Sequence, residues 1–218
     1  MKDREIHEAI ALLREAVRQW RTPAVTIVSQ REGDPFKVLV SCILSLRTQD
    51  RTTAAASERL FALAGTPAGM AALTPEAIEK AIYPVGFYRV KAVQIGMICR
   101  TLLERHDGKV PDDLDELLKF KGVGRKTANL VVTLGFGKPG ICVDTHVHRI
   151  CNRWGYVTTK TPEETEFALR AKLPGEYWLV VNDLLVTFGQ NQCHPVSPRC
   201  SSCPPRHLCD RIGVVKSR

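Results

Sequence analysis

Four cysteines, Cys193, Cys200, Cys203 and Cys209, fall near one end of a 218-residue chain with the spacing Cys-x6-Cys-x2-Cys-x5-Cys. Four thiolates converging from one short loop suit a [4Fe–4S] cluster, with tetrahedral zinc as the alternative. The spacing differs from the two separated CxxC pairs of a zinc ribbon and from the ferredoxin run. The other four, Cys42, Cys99, Cys142 and Cys151, are scattered, mostly among apolar neighbours, and read as small core residues. A secreted disulfide scaffold would be shorter and richer in cysteine throughout.

A second group is Lys121-Gly122-Val123-Gly124-Arg125-Lys126-Thr127. Two glycines one residue apart let the backbone turn sharply and approach a ligand closely. A helix beginning near Arg125 would add N–H groups at its positive end, so a phosphate oxygen could be held without a side chain. The same glycines would also serve an ordinary turn between packed helices. Lys126 falls in the first turn of that helix. The helix dipole, Lys121 and Arg125 all disfavour its positive charge, and a lysine with a free amine attacks electrophilic carbon to form a Schiff base. Its alternative role is to pair with a phosphate.

In Val143-Asp144-Thr145-His146-Val147-His148-Arg149, Asp144 precedes a helical pattern and is a good N-cap. A carboxylate fixed at a helix end can also stabilise a developing cation or accept a proton. His146 and His148 stand two apart on a helix, so they point in different directions and read as packing or surface residues.

The elements that must position these groups are helical. Apolar residues recur at three- and four-residue spacing through the Leu12–Trp20 stripe and in segments near 36–46, 52–63, 75–83, 90–103 and 114–120. Further segments lie near 126–134, 145–154, 163–173 and 177–188. Thr161-Pro162-Glu163-Glu164 reads as a capping box, and Thr74-Pro75 and Asp112-Asp113 as helix starts. Alternating strand patterns are all but absent, and the expected fold class is all-α. The basic tail Val214-Val215-Lys216-Ser217-Arg218 is expected to fray.

The net charge of +8 is compatible with a polyanionic partner without requiring one. No apolar run is long enough for a transmembrane helix, so no membrane partner is expected. The mixed-charge start, Met1-Lys2-Asp3-Arg4-Glu5, resembles neither a signal nor a transit peptide. A cytoplasmic protein, associated with the nucleoid, is expected.

Taken together, the glycine hairpin, the Val-Asp-Thr-His segment and the four-cysteine tail resemble, in the same order, those of the endonuclease III family of helix–hairpin–helix DNA glycosylases. The resemblance spans about residues 30 to 210. It implies a six-helix domain over residues 28–138 carrying the helix–hairpin–helix motif. An iron–sulfur cluster domain would be built from residues 1–27 and 139–218, with DNA in the groove between. By the same resemblance Lys126 is the nucleophile, Asp144 the essential aspartate, and Cys193, Cys200, Cys203 and Cys209 the ligands of a [4Fe–4S] cluster.

The implied partner is double-stranded DNA containing damaged bases or abasic sites, and the implied state is a monomer. The implied reaction is base flipping, excision of an oxidised pyrimidine such as thymine glycol, and β-elimination. Lys121, Gly122, Val123, Gly124 and Arg125 would hold the DNA backbone. Arg149 and Arg199 would join them. Phe87, in Val85-Gly86-Phe87-Tyr88, stands where the family inserts an apolar wedge, although a core aromatic would fit the pattern equally. The sequence departs from the family at Phe120-Lys121, usually Leu-Pro, and at Arg47, usually a gap-filling glutamine. The alternatives are a mismatch-specific thymine or adenine glycosylase of the same fold, a non-catalytic DNA-binding iron–sulfur protein, and a redox protein.

Overall fold

Every regular element among the described residues is helical, as the apolar spacing predicts. The computed structural model describes residues 1–20, 23, 25–28 and 33–218. After a turn at Asp3–Glu5 come α1 (Ile6–Val17), a helical turn at 25–28, α2 (Pro35–Ser45) and α3 (Asp50–Leu63). Next are α4 (Pro67–Ala71), α5 (Pro75–Ile82), α6 (Tyr88–Arg105), α7 (Leu114–Leu118) and α8 (Arg125–Leu130). A π-helical turn, Val131–Gly135, continues α8. The chain then forms α9 (Thr145–Arg153), α10 (Pro162–Lys172) and α11 (Val181–Asn191), with short 3-10 turns at Gly175–Tyr177 and Arg206–Leu208. No helix among the described residues is long and apolar enough to cross a membrane.

The expected starts are present. Thr74 accepts from the Ala77 amide and Asp113 from those of Asp115 and Glu116. Thr161 accepts from the Glu164 amide, but the Glu164 carboxylate reaches back to Lys160 rather than to the cap residue. The sequence reading missed α4, although Thr66-Pro67 carries the same Thr-Pro start and Thr66 caps the Gly69 amide at 3.1 Å. Another expectation is overturned by the tail. Arg218 donates from its backbone N to Pro198 O at 2.8 Å and accepts from Ser201 N at 2.9 Å, so its tip is tied down.

The chain divides into two compact units, Met1–Pro23 with Ile141–Arg218, and Ala24–Gly140. In the second unit α2 is buried along nearly its whole length, from Phe36 to Leu44. A helix apolar all round belongs at the centre of its unit. It packs against α3, α6 and the π-helical turn, while α6 also covers α4 and α5. In the first unit α11 lies against both α1 and α9 over a core of Ile6, Leu13, Ile150, Trp154, Leu185 and Phe188. Burying each such side chain contributes about 2 kcal/mol. The histidines expected to serve packing do diverge: His148 bonds Thr165 at 2.7 Å and His146 lies 3.0 Å from Arg149.

Candidate functional site

The hairpin is built by one turn. Val123 N donates to Phe120 O at 3.0 Å, and Gly122 takes φ +82° between them. That conformation belongs to glycine at the third position of a type II turn. The close approach is a second reason, because a Cβ there would run into the Gln94 amide of α6. Gln94 donates to Lys121 O at 3.2 Å and so supports the hairpin from below. Phe120 and Val123 are buried and anchor the turn, whereas Lys121, Gly122 and Gly124 face solvent. Phe120 thus takes over the apolar anchor of the departed Leu-Pro, and Lys121 adds a solvent-exposed cation. Gly124 begins α8 with no side chain capping it.

Lys126 is the second residue of α8 and is half-buried. It lies close enough to the wholly buried Cys42 of α2 for its charge to act on that thiol. Burial pushes Cys42 up to about 12, and the Lys126 ammonium pulls back against it. Burial likewise pushes Cys99 and Cys151 up to about 12.

Asp144 caps α9. Its Oδ1 accepts from the amides of His146 at 2.8 Å and Val147 at 2.9 Å. Both bonds fall on one oxygen of a half-buried carboxylate, so the cap leaves Oδ2 uncommitted among the described residues. The N-cap and a chemical role are therefore compatible at this residue.

The four clustered thiols are all half-buried and form no disulfide. Burial and the charges of Cys193, Cys209 and Cys200 push Cys203 up to about 12, which shows how near the four lie to one another. Ionising all of them together calls for a positive partner, as a bound metal centre supplies. Among the described residues, no three His, Cys, Asp or Glu side chains are gathered as a single metal ion would gather them.

Two arginines one turn apart on α9 hold the loop. Arg149, expected on DNA, instead turns its guanidinium inward to Cys193 O at 2.7 Å and Gly189 O at 3.3 Å. Arg153, which the sequence reading missed, donates to His194 O at 2.6 Å, Pro195 O at 2.7 Å and Cys193 Sγ at 3.3 Å. Their i, i+4 spacing before a cysteine loop was the available signal. Gln192 fixes Arg199 from both sides, accepting its amide and donating to its carbonyl, and leaves the side chain exposed.

Phe87 and Arg47 form a third feature. Phe87 is 60% exposed, which removes the core-aromatic alternative. It caps α6 at φ +58°, Arg47 adopts φ +53°, and the Arg47 guanidinium lies 5.6 Å from the Phe87 ring centre. Exposed, stacked and both left-handed, the pair is held by its surroundings rather than by its own preference. The buried Lys91 lies beneath it, and burial lowers this lysine to about 8. Three oxygens within reach of its ammonium oppose that shift.

A helical chain with a glycine hairpin, a lysine just beyond it and a four-thiol loop defines the class, and the comparisons agree. Residues 40–174 match the HhH-GPD superfamily base excision DNA repair proteins. The chain is 49% identical to endonuclease III of Thermotoga maritima over 84% of its own length and 85% of the relative's. It is 39% identical to endonuclease III of Escherichia coli K12, over 82% and 84%. The protein of a trapped endonuclease III–DNA covalent intermediate superposes with a TM-score of 0.86 at 34% identity, covering 97% of each chain. The chain belongs to the endonuclease III family of the HhH-GPD superfamily.

Proposed function

We propose that this protein is a bifunctional DNA N-glycosylase and AP lyase of base excision repair, removing oxidised pyrimidines such as thymine glycol from duplex DNA. The observation that carries this reading is Lys126, half-buried in the first turn of the helix that the hairpin opens. A binding protein needs the hairpin but has no use for a nucleophile at that point. The identity to endonuclease III proteins over most of both chains supports it.

The hairpin Lys121–Arg125 grips the phosphates flanking the lesion, and the damaged base leaves the stack. Phe87 enters the vacated space, and Arg47 offers hydrogen bonds to the orphaned base. The Lys126 amine attacks C1′ as the C1′–base bond breaks. Asp144 stabilises the developing sugar cation and takes the proton that the lysine loses. The aminal so formed opens as the C1′–O4′ bond breaks, O4′ takes the proton that Asp144 holds, and the resulting protonated imine acidifies the C2′ proton. Its removal expels the 3′ phosphate by β-elimination, and water then releases Lys126.

Cys193, Cys200, Cys203 and Cys209 would hold a [4Fe–4S] cluster. When bound it would supply iron–thiolate bonds to these four residues, bracing the loop that carries Arg199. Arg149 and Arg153 orient that loop through its carbonyls. The protein would act as a cytoplasmic monomer on nucleoid DNA.

The test is borohydride trapping on duplexes carrying thymine glycol or an abasic site. A covalent protein–DNA adduct and strand cleavage are expected with both. Base release without any trapped adduct would make it a monofunctional glycosylase, and failure on both duplexes would remove the reading.

A further inference from the structure

We propose that Lys91 is the positioning residue for the wedge pair, locking the Arg47 loop and the Phe87 turn into one rigid probe. The inference rests on the wedge role given above to Arg47 and Phe87.

Lys91 is only 5% exposed, and a lysine so buried is rare without partners. No carboxylate among the described residues accompanies it. Its Nζ donates instead to Leu44 O at 2.9 Å, Leu46 O at 2.5 Å and Thr48 Oγ1 at 3.3 Å. The two carbonyls belong to the last turn and the C-cap of α2, where orphaned carbonyls and the helix dipole favour a cation. The third oxygen extends the contact. Thr48 Oγ1 donates to Leu46 O at 3.2 Å and accepts from Gly86 N at 3.1 Å.

One ammonium thus joins two loops from different helices. On one side it fixes Leu46 and Thr48, the two neighbours of Arg47. On the other, through Thr48, it fixes Gly86, the neighbour of Phe87. Lys91 also accounts for the remaining side of Phe87, since its own amide donates to Phe87 O at 3.1 Å. The loops touch, because a Cβ on Gly86 would stand 2.5 Å from Arg47 O. Two non-glycine residues with positive φ persist side by side only where the surroundings over-determine them. The Lys91–Thr48–Gly86 chain is that constraint. A simple helix cap would need only the Leu44 and Leu46 carbonyls, and the arm to Thr48 serves the wedge.

Two variants test this, Lys91→Met and Thr48→Val. The second removes only the bridge and keeps the carbonyls of α2 satisfied, so it decides the matter if the first fails to fold. Each is assayed on two duplexes. One carries thymine glycol opposite adenine. The other carries an abasic site opposite a second abasic site, so it has no base to expel and no orphan to contact. On the thymine glycol duplex we expect a loss of roughly a hundredfold, as misplacing a reacting group by an ångström produces. On the doubly abasic duplex β-elimination is expected to stay within about twofold, since Lys126 and the hairpin are untouched. Equal losses on both duplexes, or no loss on either, overturn the proposal. Wild-type protein inactive on the doubly abasic duplex would instead count against the lyase reading.

Discussion

Replacing Lys126 with glutamine is expected to abolish the borohydride-trapped adduct and to slow strand cleavage by on the order of 10⁴-fold or more, the scale seen when a covalent nucleophile is removed. Glutamine keeps nearly the same length and helix propensity at the second position of α8, but its amide nitrogen has no lone pair to give. The hairpin turn stays intact, because Gly122, Val123 and the Gln94 prop do not depend on the substituted side chain. Duplex affinity measured by gel shift should therefore fall only a few-fold, by about the contribution of one cation. A variant that still forms the adduct would move the nucleophile elsewhere in the chain.

The second large effect is expected at Asp144, where the choice of substitution separates two jobs. Asparagine caps a helix as well as aspartate does. In Asp144→Asn the amide oxygen can still accept from His146 N and Val147 N, so α9 keeps its start. What is lost is the negative charge, with its favourable interaction at the helix N-terminus of about 0.3–1 kcal/mol. Thermal stability should thus barely move, while base excision falls by roughly 10²–10⁴, the range for removing a general acid–base group. Asp144→Ala, in contrast, removes the cap too and should lower stability by about a further 1 kcal/mol. Full activity in Asp144→Asn would reduce the residue to a capping role.

The parts of this site that follow from local rules were legible in the residues. Gly122 and Asp144 are examples, because a positive φ and an N-cap each restrict the residue type at one position. The four-thiol loop is another, since its spacing alone groups the donors. Legibility failed where function depends on which carbonyls lie nearby in space. Arg149 looked like a phosphate ligand, yet its guanidinium faces the carbonyls of Gly189, in the last turn of α11, and Cys193, just beyond it, forty or more residues away. Lys91 gave no sign at all and Arg153 only its spacing from Arg149, because a cation that satisfies backbone oxygens leaves no partner to recognise in the sequence. The tail was misread for the same reason: nothing in Val214–Arg218 announces the Pro198 carbonyl that receives it. Phe87 reads equally as wedge or core in the sequence, and its exposure removes the core alternative.

The division of the eight cysteines has a practical consequence. Cys42, Cys99, Cys142 and Cys151 are sealed in the two cores, and burial keeps three of these thiols protonated far above neutral pH. A side chain enclosed in a core is out of an alkylating reagent's reach, so these positions stay silent in folded protein. The remaining four are reachable unless bonded. Iodoacetamide followed by intact-mass measurement should therefore act as an occupancy gauge. With the proposed cluster in place it should add almost nothing, and up to four carbamidomethyl groups once the cluster is stripped, with eight appearing only on denaturation.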